Sequence, residues 1–224
     1  MIKNGEEEIL IETGRMAARL IHDFKNQLGG LKLYAAYLQK RFADNAEGVE
    51  IAGKIAQGLN EMAEQAAILN KLTRPLELRT EPCDPASVLE QAVNGLRSRA
   101  DAKRVKIEFD FEPDAPTVTL DSRQMIIALE SIIARAVGAA PEGGEIKVSL
   151  RRLEETLQIE IEDNGATLDD DQRLGFFNPL AGDRINQTSL GLAMARRIIE
   201  RHGGRTSARA KPDTGTIVEV RLSL

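Results

Sequence analysis

The chain has 224 residues, 42% hydrophobic and 29% charged, with a formal net charge of -5; this is the composition of a soluble globular protein with room for two modest domains or one large one. The acidic balance, without any basic tract, excludes a general nucleic-acid binder, which neutralises phosphates with a concentrated surplus of Lys and Arg. The single Cys83 excludes an internal disulfide, MIKNGEEEI lacks the cationic and apolar regions of a secretory leader, and no apolar run reaches the roughly 18 to 20 residues that span a bilayer; a cytoplasmic chain with no membrane segment is expected.

From the N-terminus the apolar positions run Ala17, Ile21, Phe24, Leu28, Leu31, Ala35, Leu38 and Phe42, alternating steps of four and three. That is a heptad stripe. After the polar break DNAEG a second stripe follows as Ala52, Ile55, Leu59, Met62, Ala66 and Leu69, ending before Pro75. Two long helices joined by a short turn predict an antiparallel hairpin over residues 1–75. A lone hairpin covers only one side of each helix, so pairing with a second copy into a four-helix bundle satisfies both seams, and a homodimer is expected. The alternative is that the hairpin packs on the C-terminal half of its own chain.

Beyond Pro75 the period changes. VKIEFDF (105–111), EIKVSL (145–150), TLQIEIED (156–163) and the closing TIVEVRLSL alternate apolar and polar residues as strands do. Between them lie helical patterns: PASVLEQAVNGLRSRA with Asp84 as cap and Pro85 in its first turn, DSRQMIIALESIIARAV starting at Asp121, and LGLAMARRIIERHGG stopping at paired glycines. The expected class is α+β: the hairpin, then over residues 78–224 an α/β sandwich with helices on one face of a mixed sheet. Met1 and the clean strand ending RLSL suggest a complete chain.

Within the first stripe, LIHDFKNQLGG places His22, Asp23 and Asn26 in otherwise apolar helix, in a chain with one other histidine, His202. Ile21 belongs to the seam, so His22 projects to the flank, where a partner can reach it. A neutral imidazole is a competent nucleophile near pH 7, and a carboxylate beside it fixes which nitrogen holds the proton. Asn26 lies one turn along on the same face. His202, in RHGG, reads as a structural imidazolium at a helix C-terminus.

These residues resemble the catalytic core of sensor histidine kinases, over nearly the whole chain. HDFKN (22–26) looks like that family's phospho-acceptor box, LESIIARAVGAAPEGGEI (129–146) like its N box, EDNGATL (162–168) like the first glycine box, GFFNP (175–179) like the phenylalanine box, and SLGLAMARRIIERHGG (189–204) like the second glycine box. The resemblance implies a hairpin that dimerises and carries phosphate on His22, followed by a nucleotide-binding domain of the kind shared with gyrase and chaperone ATPases. It implies that Asp23 orients His22, that Asn26 helps position water for dephosphorylation of a partner, and that response-regulator receiver domains exchange phosphate with His22. It also implies an ATP site in which Asp163 accepts from the adenine amino group while Gly165 and Gly191 let backbone approach the nucleotide.

The nucleotide motifs depart from the family's pattern. The asparagine that coordinates magnesium aligns with Arg135, and an earlier asparagine with Ser131. Magnesium takes oxygen ligands, whereas a guanidinium offers only donors and a positive charge. Arg135 could instead neutralise a phosphate or be an ordinary solvated helix residue; Glu130 and Glu142 are the nearby carboxylates, and no metal ligand is assigned. Thr167 replaces a second glycine, and Gln187-Thr188-Ser189 replaces the glycines of the lid, leaving Ser189 as a helix cap. Three readings follow. A histidine phosphotransferase, with His22 relaying phosphate between receiver aspartates, ranks ahead of an ATP-dependent kinase that uses magnesium, and a non-catalytic dimeric regulator comes third.

Overall fold

The computed structural model describes residues 24, 26–73, 76–112, 116–179, 181 and 186–224. The chain divides into two compact units, Met1–Pro75 and Leu76–Leu224.

In the first unit, helix α1 (26–41) is followed by a tight turn and helix α2 (Ala46–Thr73). Asn45 starts α2, its side chain accepting from the Gly48 amide at 3.1 Å. Leu28, Ala35, Ala52 and Ala66 are all buried, whereas Leu31, Phe42, Ile55 and Met62 keep 42–49% of their surface exposed. The heptad position shared by Leu28 and Ala35 is therefore buried except at Phe42, beside the turn, while Leu31, Ile55 and Met62 are open.

The second unit is built from strands β1 (Glu81–Cys83), β2 (Lys106–Phe111), β3 (Val118–Leu120), β4 (Glu145–Leu153), β5 (Thr156–Asp163), β6 (Arg205–Ala210) and β7 (Thr216–Ser223), with helices α3 (Pro85–Ala102), α4 (Ser122–Ala139), α5 (Asp170–Leu174) and α6 (Gln187–Arg201). The strands β1 and β3 pair antiparallel; the other five form a sheet in the order β2-β4-β5-β7-β6, parallel only between β2 and β4. Alternation decides what each sheet face carries. On β5 the residues Leu157, Ile159 and Ile161 are buried with Leu129, Ile132 and Ile133 of α4 and Ile198 and Ile199 of α6. The opposite face is charged and cross-linked between strands: Asp110 meets Lys147 and Arg151 at 2.9 and 2.6 Å, Glu160 meets Arg209 at 3.0 Å, and Glu162 meets Lys211 at 3.3 Å. The fold is thus an α+β sandwich with its core between sheet and helices.

Helix starts follow their caps. Asp84 accepts from the amides of Ala86 and Ser87 ahead of Pro85, and Asp121 accepts from Gln124 at the start of α4. The cap of α6 differs from the sequence reading. Asn186, not Ser189, is the N-cap, and Ser189 sits at the third helical position, where it closes a reciprocal capping box with Asn186. His202 also differs. Its Nε2 accepts the Asp121 amide at 2.9 Å while Nδ1 lies 2.8 Å from the Ile198 carbonyl, a pattern that needs a neutral imidazole donating from Nδ1. His202 therefore stitches the end of α6 to the start of α4 as a neutral ring, not as a cation on the helix dipole.

Candidate nucleotide-type site

His22 and Asp23 lie outside the described residues. Asn26 lies in the first described turn of the N-terminal helix and is exposed.

The remaining predicted site residues lie at one end of the second unit. Asp163 ends β5 in the row that buries Leu157, Ile159 and Ile161, so strand alternation carries a carboxylate into the apolar layer, where it is 1% exposed. A buried carboxylate needs partners. Asp163 has the Gly165 amide, donating at 2.9 Å, and the guanidinium of Arg135, in a close ion pair. Burial pushes the Asp163 carboxyl above its ordinary range, against the opposing pull of Arg135 and the amides of Gly165 and Thr216. Burial likewise lowers Arg135, against the opposing effect of Asp163.

Arg135 is thus not a solvated helix residue. Its side chain is 13% exposed, its second terminal nitrogen donates to Thr216 Oγ1 at 3.2 Å, and its guanidinium carbon stands 4.9 Å from the centre of the Phe176 ring, within cation–π range. Phe176 is itself held edge-on by Phe177, with ring centres 5.0 Å apart. Four segments distant in sequence converge here, and no local motif reveals that Arg135 and Asp163 are paired.

The glycines have packing reasons. A Cβ on Gly165 would stand 2.4 Å from the Ala139 carbonyl oxygen, and one on Gly215, at φ +108°, 1.9 Å from the Asp163 carbonyl oxygen, so both turns close directly on backbone. Thr167 ties the same loop down, accepting the Gly215 amide at 3.4 Å, while Thr214 donates to the Gly165 carbonyl at 2.8 Å. Gly191, in the first turns of α6, would place a Cβ 3.4 Å from Ser131 Oγ, and Ser131 donates to the Ile127 carbonyl at 2.9 Å.

Beside Arg135 opens a cavity of about 340 Å³, walled by Arg135, Leu168, Gln172, Phe176, Thr188 and Leu192 among others. Magnesium does not fit the α4 wall: Arg135 supplies no lone pair, a Cβ on Gly95 would collide with the Glu130 carboxylate, placing that group against α3, and Glu142 pairs with Arg104 at 3.3 Å. Among the described residues no group of three or more His, Cys, Asp or Glu side chains could hold a metal ion.

Comparison with known proteins agrees with this architecture. Residues 120–224 match the family described as histidine kinase-, DNA gyrase B- and HSP90-like ATPase. The chain is 24% identical over 212 residues to sensor histidine kinase ZraS of Klebsiella oxytoca, covering 94% of this chain and 46% of the relative. It is 28% identical over 222 residues to the sensory histidine kinase/phosphatase NtrB of Salmonella typhimurium, covering 89% and 60%. The chain thus spans about half the length of such relatives. In fold it is similar to full-length ShkA in complex with AMPPNP, with a TM-score of 0.76 and 19% identity over 93% of this chain and 45% of that one. It is similar also to histidine kinase ThkA in complex with the response regulator TrrA, with a TM-score of 0.74 and 16% identity over 100% and 66%. Among the described residues no helix is long and apolar enough to cross a membrane. With the sheet order, the helix layer and the family match in agreement, residues 120–224 are a domain of the histidine kinase-, DNA gyrase B- and HSP90-like ATPase family, in a chain whose relatives are sensor histidine kinases.

Proposed function

We propose that the chain is the catalytic core of a two-component histidine kinase that takes a phosphoryl group from ATP onto His22 and passes it to a response-regulator aspartate. The observation that carries this reading is the joint occurrence of the family match over residues 120–224 and a phospho-acceptor-like HDFKN upstream, in a chain resembling named kinases over most of its length. The relatives favour this reading over the phosphotransferase ranked first from sequence. In it, a neutral His22 nitrogen attacks the γ-phosphorus, the bond to the ADP oxygen breaks, and Asp23 holds the ring's other N–H. Asn26 is assigned to positioning water for the reverse, dephosphorylating step. Asp163, Gly165 and Gly191 form the nucleotide side of the site, and the receiver domain is the acceptor, as TrrA is the partner bound to ThkA.

One observation keeps the phosphotransferase reading alive as a second. Arg135 already pairs with Asp163, and by the resemblance it takes the place of the asparagine that coordinates magnesium. Comparing donors separates the readings. Labelled Mg-ATP is expected to give acid-labile label on the wild type and none on His22→Ala; label arising only from a phosphorylated receiver would replace the kinase reading by phosphotransfer. No label from either donor, with signalling intact in His22→Ala cells, would leave a dimeric regulator.

The hairpin is assigned to homodimerisation. The open heptad positions Leu31, Ile55 and Met62, each more than two-fifths exposed, are the seam that a second copy would cover.

A further inference from the structure

We propose that Arg135 is a tethered competitor for the base subsite at Asp163, so that a nucleotide enters only by displacing this side chain. This rests on the reading of the cavity as a nucleotide site and adds how access to it is controlled. The guanidinium is planar, with N–H donors in its plane. One terminal nitrogen is paired with Asp163, the other reaches Thr216 Oγ1 at 3.2 Å, and the group lies 4.9 Å from the Phe176 ring centre. An aminopurine makes the same demands: an amino edge donating to a carboxylate and a flat face against an aromatic ring. Arg135 also forms part of the wall of the adjoining 340 Å³ cavity, so its withdrawal would open that cavity onto the buried Asp163 carboxylate.

The competition is unequal because the competitor is covalently attached. A tethered group acts at an effective concentration that a free ligand must exceed, and apparent affinity falls by the fraction of molecules in which the site is open. Displacement also strands Asp163 unless the incoming group supplies a donor, since a buried charge robbed of its partner is strongly disfavoured. The side chain therefore selects as well as blocks. An amino-bearing base can replace the guanidinium on Asp163, whereas a base presenting a carbonyl there meets the carboxylate acceptor to acceptor.

Calorimetric titration with adenosine, inosine and ADP, all without added divalent cation, tests this on the full chain. Arg135→Asn is expected to bind adenosine and ADP about tenfold or more tighter than the wild type, with inosine weaker than adenosine. Arg135→Lys keeps a cation opposite Asp163 and so protects the fold, but loses the two-pronged, stacked fit; its affinity should fall between the two. Wild-type binding as tight as that of Arg135→Asn, weaker binding in either variant, or no adenosine or ADP binding by any of the three proteins would overturn the proposal. None of these readouts involves His22, so phosphate acceptance there is judged separately by the labelling experiment.

Discussion

At the scale of single residues, the second unit depends on a few buried polar groups tied across long sequence distances. Asp121 accepts from Gln124 in its own helix and from the Arg79 amide at 2.9 Å, while its backbone N–H donates to His202. Burial alone would raise its carboxyl, but the hydrogen bonds from the amides of Arg79, Gln124 and Arg123 hold it below the usual range. A depressed carboxylate contributes stability that is present above its unfolded value of about 3.9 and is lost as pH falls through its lower folded value. The melting temperature of the wild type should therefore exceed that of Asp121→Asn at pH 7, with the gap closing below about pH 4 in a calorimetric series; a constant gap would show that charge is not the cause. His202→Ala should cost about 1–2 kcal/mol in chemical denaturation, because the Asp121 amide loses its acceptor in a part-buried site. The sequence exposed Asp121 as a cap because capping is local. The partnership with His202, 81 positions away, and that of Arg135 with Asp163 arise only when α4, β5 and α6 come together.

At the scale of elements, legibility followed periodicity and length. The strand β5 occupies the same residues, 156–163, that its alternation predicts, and α3 and α4 begin at the predicted caps. The strands β1 and β3 have three residues each, too few to alternate, and β6 reads RTSARA, an edge strand whose small and polar side chains carry no apolar rhythm. The single-turn α5 is announced only by its capping box at Asp169 and Gln172. In α6 the sequence reading placed the cap three residues late, because Ser189 is a good cap in isolation and only the reciprocal bonds with Asn186 mark it as the third helical position. Removing that box is a direct test of its contribution: Asn186→Ala should lower stability by about 1 kcal/mol, a drop of roughly 2–4 °C by thermal melting, and Ser189→Ala by less.

On the level of the whole molecule, the two units carry different assignments and ask for different measurements. In the hairpin Leu28 is 2% exposed while Leu31, Ile55 and Met62 keep 42–49% of their surface open, so a partner for these three side chains is the simplest completion. Sedimentation equilibrium is expected to find a dimer for the wild type and a monomer for the triple variant Leu31→Ser, Ile55→Ser, Met62→Ser; a monomeric wild type would remove the bundle from the account. In the second unit residues 120–224 match a family model, while the state of the site turns on Arg135 and Asp163, 28 positions apart and paired only in the folded chain, which is why sequence order exposed the domain but not the state of its site. The most direct measurement on the central reading is to incubate the full chain with γ-labelled Mg-ATP, digest it, and locate the label by mass spectrometry. An acid-labile, base-stable phosphate is expected on the peptide containing His22, abolished by His22→Ala. Label on any other residue, or none on the wild type, would contradict the central reading.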